Sequence, residues 1–263
     1  MNRLHWLHLL WVATYALTAW PAGAQSLAGA RYTTPVERYG HFALGRPHEY
    51  ASLAVTVRNG EAMTMNLPDD EVFEDVAPRV VKMAVDESDN LLVIIGNRNS
   101  GARLALVQPV AGRLKIIAQS NPIGIPMRWL NPVGVADLDG DGRSEIAAVI
   151  TPHIGGVLKV YREVGERLVE IASLDGFSNH TYGSPEQALA AVVSVGGQKQ
   201  LLVPDFARRS LRIIALEGTR LVETGRCPLA DPVTGPVEQV SEHVVSVVAS
   251  AGKRLVDLRA CRR

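Results

Sequence analysis

The chain has 263 residues, 47% hydrophobic and 21% charged, with 27 basic and 27 acidic side chains and a formal net charge of zero. A globular domain of this length buries a large core. The balanced charge lacks the basic excess that nucleic acid or an anionic membrane surface favours.

The first 24 residues differ from the rest. Arg3 supplies a positive start, and an apolar run from Trp6 to Trp20 follows, interrupted by His8 and two threonines. Pro21-Ala22-Gly23-Ala24 then places small residues at the −3 and −1 positions for cleavage before Gln25. This is the pattern of a secretory signal peptide. Its apolar run is shorter than the roughly 20 residues that span a bilayer. No Cys follows it, which argues against a bacterial lipid anchor, and no later segment is long and apolar enough to cross a membrane. The expectation is a periplasmic or secreted protein, with residues 25–263 as one domain. Cleavage removes Trp6, Trp11 and Trp20 and leaves Trp129 as the one tryptophan, few for a sugar- or base-stacking surface.

Along the rest of the chain strand signals dominate. Short apolar, β-branched runs such as Leu91–Ile95, Ile146–Ile150, Leu201–Val203 and Leu211–Ala215 are separated by Gly, Pro, Asn and Asp. They repeat. Leu104, Leu158 and Leu211 open similar strands, and Arg113-Leu114 recurs as Arg167-Leu168 and Arg220-Leu221 at the same spacing. Each of those pairs follows a turn. A period near 50 residues with four strands per unit is the mark of a propeller blade. Three units are read, near 78–131, 132–186 and 187–228. An atypical unit precedes them around Tyr50–Val76, and a short one ends the chain around Val244–Arg259. The expected fold is all-β, a β-propeller-like array of roughly four to five four-stranded blades.

One loop carries metal chemistry. Asp137, Asp139, Asp141 and Glu145 stand at positions 1, 3, 5 and 9 of Asp137-Leu-Asp-Gly-Asp-Gly-Arg-Ser-Glu145. Gly140 and Gly142 let the backbone curl. Ca²⁺ takes six to eight oxygens, which the three aspartates, Glu145, the Arg143 carbonyl and water would supply. Four unneutralised carboxylates so close together would repel one another. An EF-hand is disfavoured: its twelfth position would be Ala148, and both flanks read as strands.

The segment Val133-Gly-Val-Ala-Asp-Leu-Asp-Gly-Asp-Gly-Arg-Ser-Glu-Ile-Ala-Ala-Val149 resembles the FG-GAP/VCBS repeat, the calcium-loop blade of integrin-type propellers and many exported bacterial proteins. The resemblance implies a β-propeller holding Ca²⁺ in a hairpin loop, with Asp137, Asp139, Asp141, Arg143 through its carbonyl, and Glu145 at the ligand positions. One unit earlier those positions hold Lys82, Ala84, Asp86 and Asn90, and one unit later Val192, Ser194, Gly196 and Gln200. One calcium site is therefore expected.

The two cysteines, Cys227 and Cys261, can pair in an oxidising compartment and would stabilise by roughly 3–4 kcal/mol on the chain-entropy model. No Gly-x-Ser-x-Gly, His-Glu-x-x-His or phosphate loop is present, so no catalytic residue is assigned. The expected role is a binding or scaffold module, with a protein or surface ligand held by the loops near His153 and Asn179-His180. The Gly40–Gly45 stretch is a further loop candidate. A calcium-dependent hydrolase or lyase, or a lectin, is the alternative.

Overall fold

A computed structural model describes residues 26–84 and 88–262. The signal segment 1–24, its cleavage point before Gln25, and Asp86 lie outside the described residues. The fold is all-β. The first layer holds β1 (Leu27–Val36), β2 (Glu49–Val57), β3 (Ala62–Asn66) and β4 (Glu71–Phe73). The second is the meander β5 (Arg79–Val81), β6 (Asn90–Asn97), β7 (Gly101–Val110) and β8 (Arg113–Gln119). The third is β9 (Leu130–Ala136), β10 (Glu145–Ile150), β11 (Val157–Val164) and β12 (Arg167–Asp175). The fourth is β13 (Ala191–Val195), β14 (Gln198–Pro204), β15 (Ser210–Glu217) and β16 (Arg220–Pro228). The last is the three-stranded β17 (Val233–Ser241), β18 (Val244–Ala249) and β19 (Gly252–Asp257), followed by one 3-10 turn at Leu258–Ala260. Among the described residues no helix is long and apolar enough to cross a membrane.

The recurring residues occupy like-numbered strands of consecutive meanders. Leu104, Leu158 and Leu211 lie in the third strands of successive meanders, and Arg113, Arg167 and Arg220 open the fourth strands. The terminal units begin earlier than their hydrophobic runs. β1 carries Gly, Ala and Pro in place of a β-branched run, and β17 carries Gly235 and Pro236, where its register with β18 is irregular. Tertiary pairing overrides this weak local preference.

Hydrogen bonding joins the layers unevenly. β4 pairs with both β2 and β6, and a single parallel bridge between Arg167 and Gln119 joins β12 to β8. The result is a twelve-stranded sheet beside a four-stranded and a three-stranded one, and none of the three closes on itself.

The middle strands of the meanders are buried on both faces, which explains their unbroken apolar runs. On β6, Leu91, Val93 and Ile95 pack against the first layer, while Leu92 and Ile94 pack against the third. On β10, Ile146 and Ala148 face the second layer, whereas Ala147 and Val149 face the fourth. Leu202 and Ile213 then meet Val237, Val245 and Val247 of the last layer. The period-2 side-chain alternation of each strand thus feeds two cores at once. The outermost strands differ: β8 and β12 alternate buried and exposed.

Because neighbouring strands run antiparallel, the loops divide between two ends of the layers. The β9–β10 loop, residues 137–144, lies at one end. The β10–β11, β12–β13 and β14–β15 loops lie at the other, with the β1–β2 and β8–β9 loops. At the far end of the chain Cys227 of β16 is disulfide-bonded to Cys261, and Arg226 and Arg262 form a bridge beside it.

Candidate functional site

The β9–β10 loop is held in shape by its own aspartates. Asp137 accepts from the amides of Gly140 at 2.7 Å and Gly142 at 3.0 Å. Asp139 accepts from the Asp141 amide at 3.2 Å, and Asp141 from the Arg143 amide at 2.8 Å. Both glycines take positive φ, 81° and 89°, where a side chain would strain the turn. Arg143 forms a bridge with Ala84, and the Ser144 amide donates to Met83 O at 2.7 Å, so the loop leans on the second layer.

Asp137, Asp139 and Glu145 each bring an oxygen within 4.8 Å of the others, the one such acidic or metal-donor group of three among the described residues. Asp141 is not part of that trio, and its carboxylate is engaged with the Arg143 amide. The flanks are strands, and Ala148 is fully buried. The equivalent turn of the fourth layer is the two-residue Gly196-Gly197 hairpin between β13 and β14, too tight to encircle an ion.

The trio has a partner that the sequence reading missed. Arg162 of β11 donates to Glu145 Oε1 at 2.8 Å and 3.0 Å, and to Asp139 Oδ2 at 2.5 Å. The antiparallel register, Ile146 opposite Tyr161, places Arg162 beside Glu145. Glu145 is fully buried and also accepts from the Leu138 amide at 3.0 Å. Burial raises its pKa, opposed by that amide and by Arg162. Three carboxylates against one guanidinium leave an excess of negative charge. A cleft of about 630 Å³ opens beside the loop, walled by Asp137, Asp139, Lys199, Gln200 and Thr224.

The opposite end brings His41, His153 and His180 together. His153 Nε2 lies 2.7 Å from His180 Nδ1, and His180 Nε2 lies 2.8 Å from Ser184 O. Trp129 stacks parallel to His153 with its centroid 6.0 Å away, and its indole N–H donates to Glu74 O at 2.8 Å. His41 Nδ1 meets Glu74 Oε1 at 2.5 Å. The Tyr182 hydroxyl donates to His41 O and the Gly183 amide to Ala43 O, both at 2.8 Å. The β1–β2 and β12–β13 loops are therefore clasped. Gly45, at φ 70°, makes room for the clasp: a Cβ there would sit 2.2 Å from Gly183 O. Below lies a second polar network, in which Asp75 accepts from Arg79 and Gln187, and Asn131 and Asn179 exchange side-chain to backbone bonds.

The loop residues named from the sequence are placed differently from one another. Asn179 and His180 are fully buried and His153 is half-buried, so the first two offer no surface to a partner. The large apolar side chains exposed on this face are Phe42, Ile125, Met127, Ile154, Tyr182 and Phe206. Phe42, Met127, Thr151 and Arg208 all hold positive φ without being glycine. Such strain persists only where the surroundings over-determine it, and it concentrates at functional loops.

Burial sets the protonation here. It pushes the Glu74 carboxyl up to about 7 despite the His41 hydrogen bond. It pulls His153 down to about 4, helped by His180, and His180 down to about 4 against its bond to Ser184. Glu74 Oε2 is buried without a hydrogen-bond partner among the described residues. Sequence reasoning missed Glu74, Asp75 and Arg79 because they come from a short, polar stretch whose burial only the layered packing produces. No protein-family model matches the chain, and no curated protein matches it.

Proposed function

We propose that this protein is an exported binding or scaffold module of the β-propeller type, its successive meanders acting as blades, with one structural Ca²⁺ in the loop 137–145. The observation that carries the reading is the convergence of Asp137, Asp139 and Glu145 within 4.8 Å on a glycine-turned hairpin. The resemblance of Val133–Val149 to FG-GAP/VCBS repeats and the signal-like residues 1–24 support it. Hard carboxylate oxygens suit Ca²⁺, whose coordination shell is adaptable, better than Mg²⁺ with its small, rigid shell. Calcium there would cancel the charge that Arg162 leaves over and lock β9 to β10. The ligand is a protein or a surface, met by the exposed apolar loop tips around His153 and Asn179-His180.

Thermal unfolding with Ca²⁺, Mg²⁺ or chelator, for the parent and for Asp139→Ala, tests the ion. An ion at about 100 times its dissociation constant stabilises by roughly 2.7 kcal/mol. The expected result is a calcium-specific rise in midpoint that Asp139→Ala loses. An equal response in both proteins sinks the site.

A further inference from the structure

The histidine pair on the loop face has a geometry of its own, independent of the acidic loop at the other end. A carbonyl oxygen only accepts, so the contact of His180 Nε2 with Ser184 O places the ring proton on Nε2. Nδ1 then presents its lone pair to His153 Nε2, 2.7 Å away. Anchoring the far nitrogen of an imidazole to a backbone carbonyl is how proteins fix the tautomer and aim of a metal-ligating histidine. In the pair as it stands one proton, on His153 Nε2, fills the gap between the rings. That proton can move to His153 Nδ1, which frees two facing lone pairs without removing a proton from the pair.

Aromatic rings pack against both imidazoles. Trp129 lies edge-on to His180 at 4.6 Å and parallel to His153, and Tyr182 lies edge-on to His153 at 5.3 Å. Arg208 donates to His180 O at 3.1 Å. His180 is fully buried, but Ile154 beside His153 is 60% exposed and Tyr182 57%. Water therefore reaches the His153 side. Metal–nitrogen bonds of about 2.0–2.1 Å in a tetrahedral shell need the two nitrogens roughly 3.3 Å apart. The rings meet nearly head-on, their centroids 5.0 Å apart, so the half-buried His153 ring has to swing aside by roughly 2 Å for both lone pairs to point at one ion, while His180 stays anchored on Ser184 O.

We propose that His153 and His180 form a two-imidazole site for a divalent transition-metal ion of the Zn²⁺ or Cu²⁺ kind, with water completing the shell. Imidazole nitrogen suits these ions, whereas Ca²⁺ prefers oxygen. The two ends of the layers would then sort cations by ligand chemistry, Ca²⁺ to carboxylates and borderline metals to nitrogen.

The test is a calorimetric titration of the full chain with Zn²⁺ in calcium-saturated buffer, for the parent, His153→Gln and His48→Gln. The parent and His48→Gln should each take up one more equivalent of Zn²⁺ than His153→Gln. Equal uptake by the parent and His153→Gln overturns the proposal. Should His153→Gln fail to fold, the imidazole ¹⁵N resonances of the parent decide. A shift of the His153 Nε2 and His180 Nδ1 signals with Zn²⁺ supports the site, and unmoved signals overturn it.

Discussion

At the scale of single residues, charge and burial decide the behaviour of both loop ends. Arg162 stands in for part of the charge a cation would bring, since it is bonded to Asp139 and to the buried Glu145. Removing one partner of a buried ion pair leaves an uncompensated charge at a cost of about 3–5 kcal/mol. Arg162→Gln should therefore lower the unfolding midpoint strongly in chelator and regain more with Ca²⁺ than the parent does. Equal calcium gains in the two proteins would show that the guanidinium and the ion act on different groups.

The buried acid and imidazoles predict a pH profile for the metal-free protein. The folded pKa of Glu74, about 7, is raised above its ordinary value of 4.5. Its contribution is complete below pH 4.5 and lost as pH rises through 7. His153 and His180 are depressed from 6.5 to about 4. Their contribution is complete above pH 6.5 and is lost as pH falls from there toward 4. Together they place maximum stability near neutrality. Glu74→Gln keeps a partner for His41 but removes the titration, so the loss between pH 6 and pH 8 should flatten in denaturant melts of that variant. An unchanged slope would mean that another group governs the alkaline limb.

At the scale of elements, the strand is the unit that serves two cores. β6 and β10 bury successive residues against different neighbours, so no position on either strand is spare. Ile94, fully buried between the second and third layers, should cost about 2–5 kcal/mol when cut to Ala, read as a shift in urea midpoint. The clasp between the β1–β2 and β12–β13 loops is a second element-level contact. Gly45→Ala adds a methyl 2.2 Å from Gly183 O on a backbone at positive φ. It should destabilise by about 2–4 kcal/mol and speed amide exchange of Gly183, whose N–H bonds Ala43 O. Normal protection at Gly183 would show that the clasp yields without opening.

At the scale of the whole molecule, stability is distributed over serial layer-to-layer cores, and the chain ends need separate fastening. The disulfide from Cys227 to Cys261 does this for the last residues by tying them to β16. Reduction should cost roughly 3–4 kcal/mol and loosen residues after β19 before the middle layers. Hydrogen exchange resolved along the chain reads that order; uniform loosening would mean that the layers unfold as one unit.

Much was legible in the sequence because it depends on local chemistry and on repetition. The Leu104, Leu158 and Leu211 spacing required equivalent strands, since a repeat that buries the same pattern must present it at the same place. The glycine and aspartate alternation of 137–145 required a tight acidic turn, because only glycine accepts those φ values freely. The pairing of Cys227 with Cys261 was open to reading because the sequence holds two thiols, which an oxidising compartment would join. Tertiary structure alone decided the rest. It put Arg162 against Glu145, Asp141 outside the trio, and Asn179 and His180 inside the protein. It also brought His41 to Glu74 and His153 to His180, and left the sheets unclosed. Each of these depends on how separate layers stack and twist, and single-chain periodicity carries no information about that.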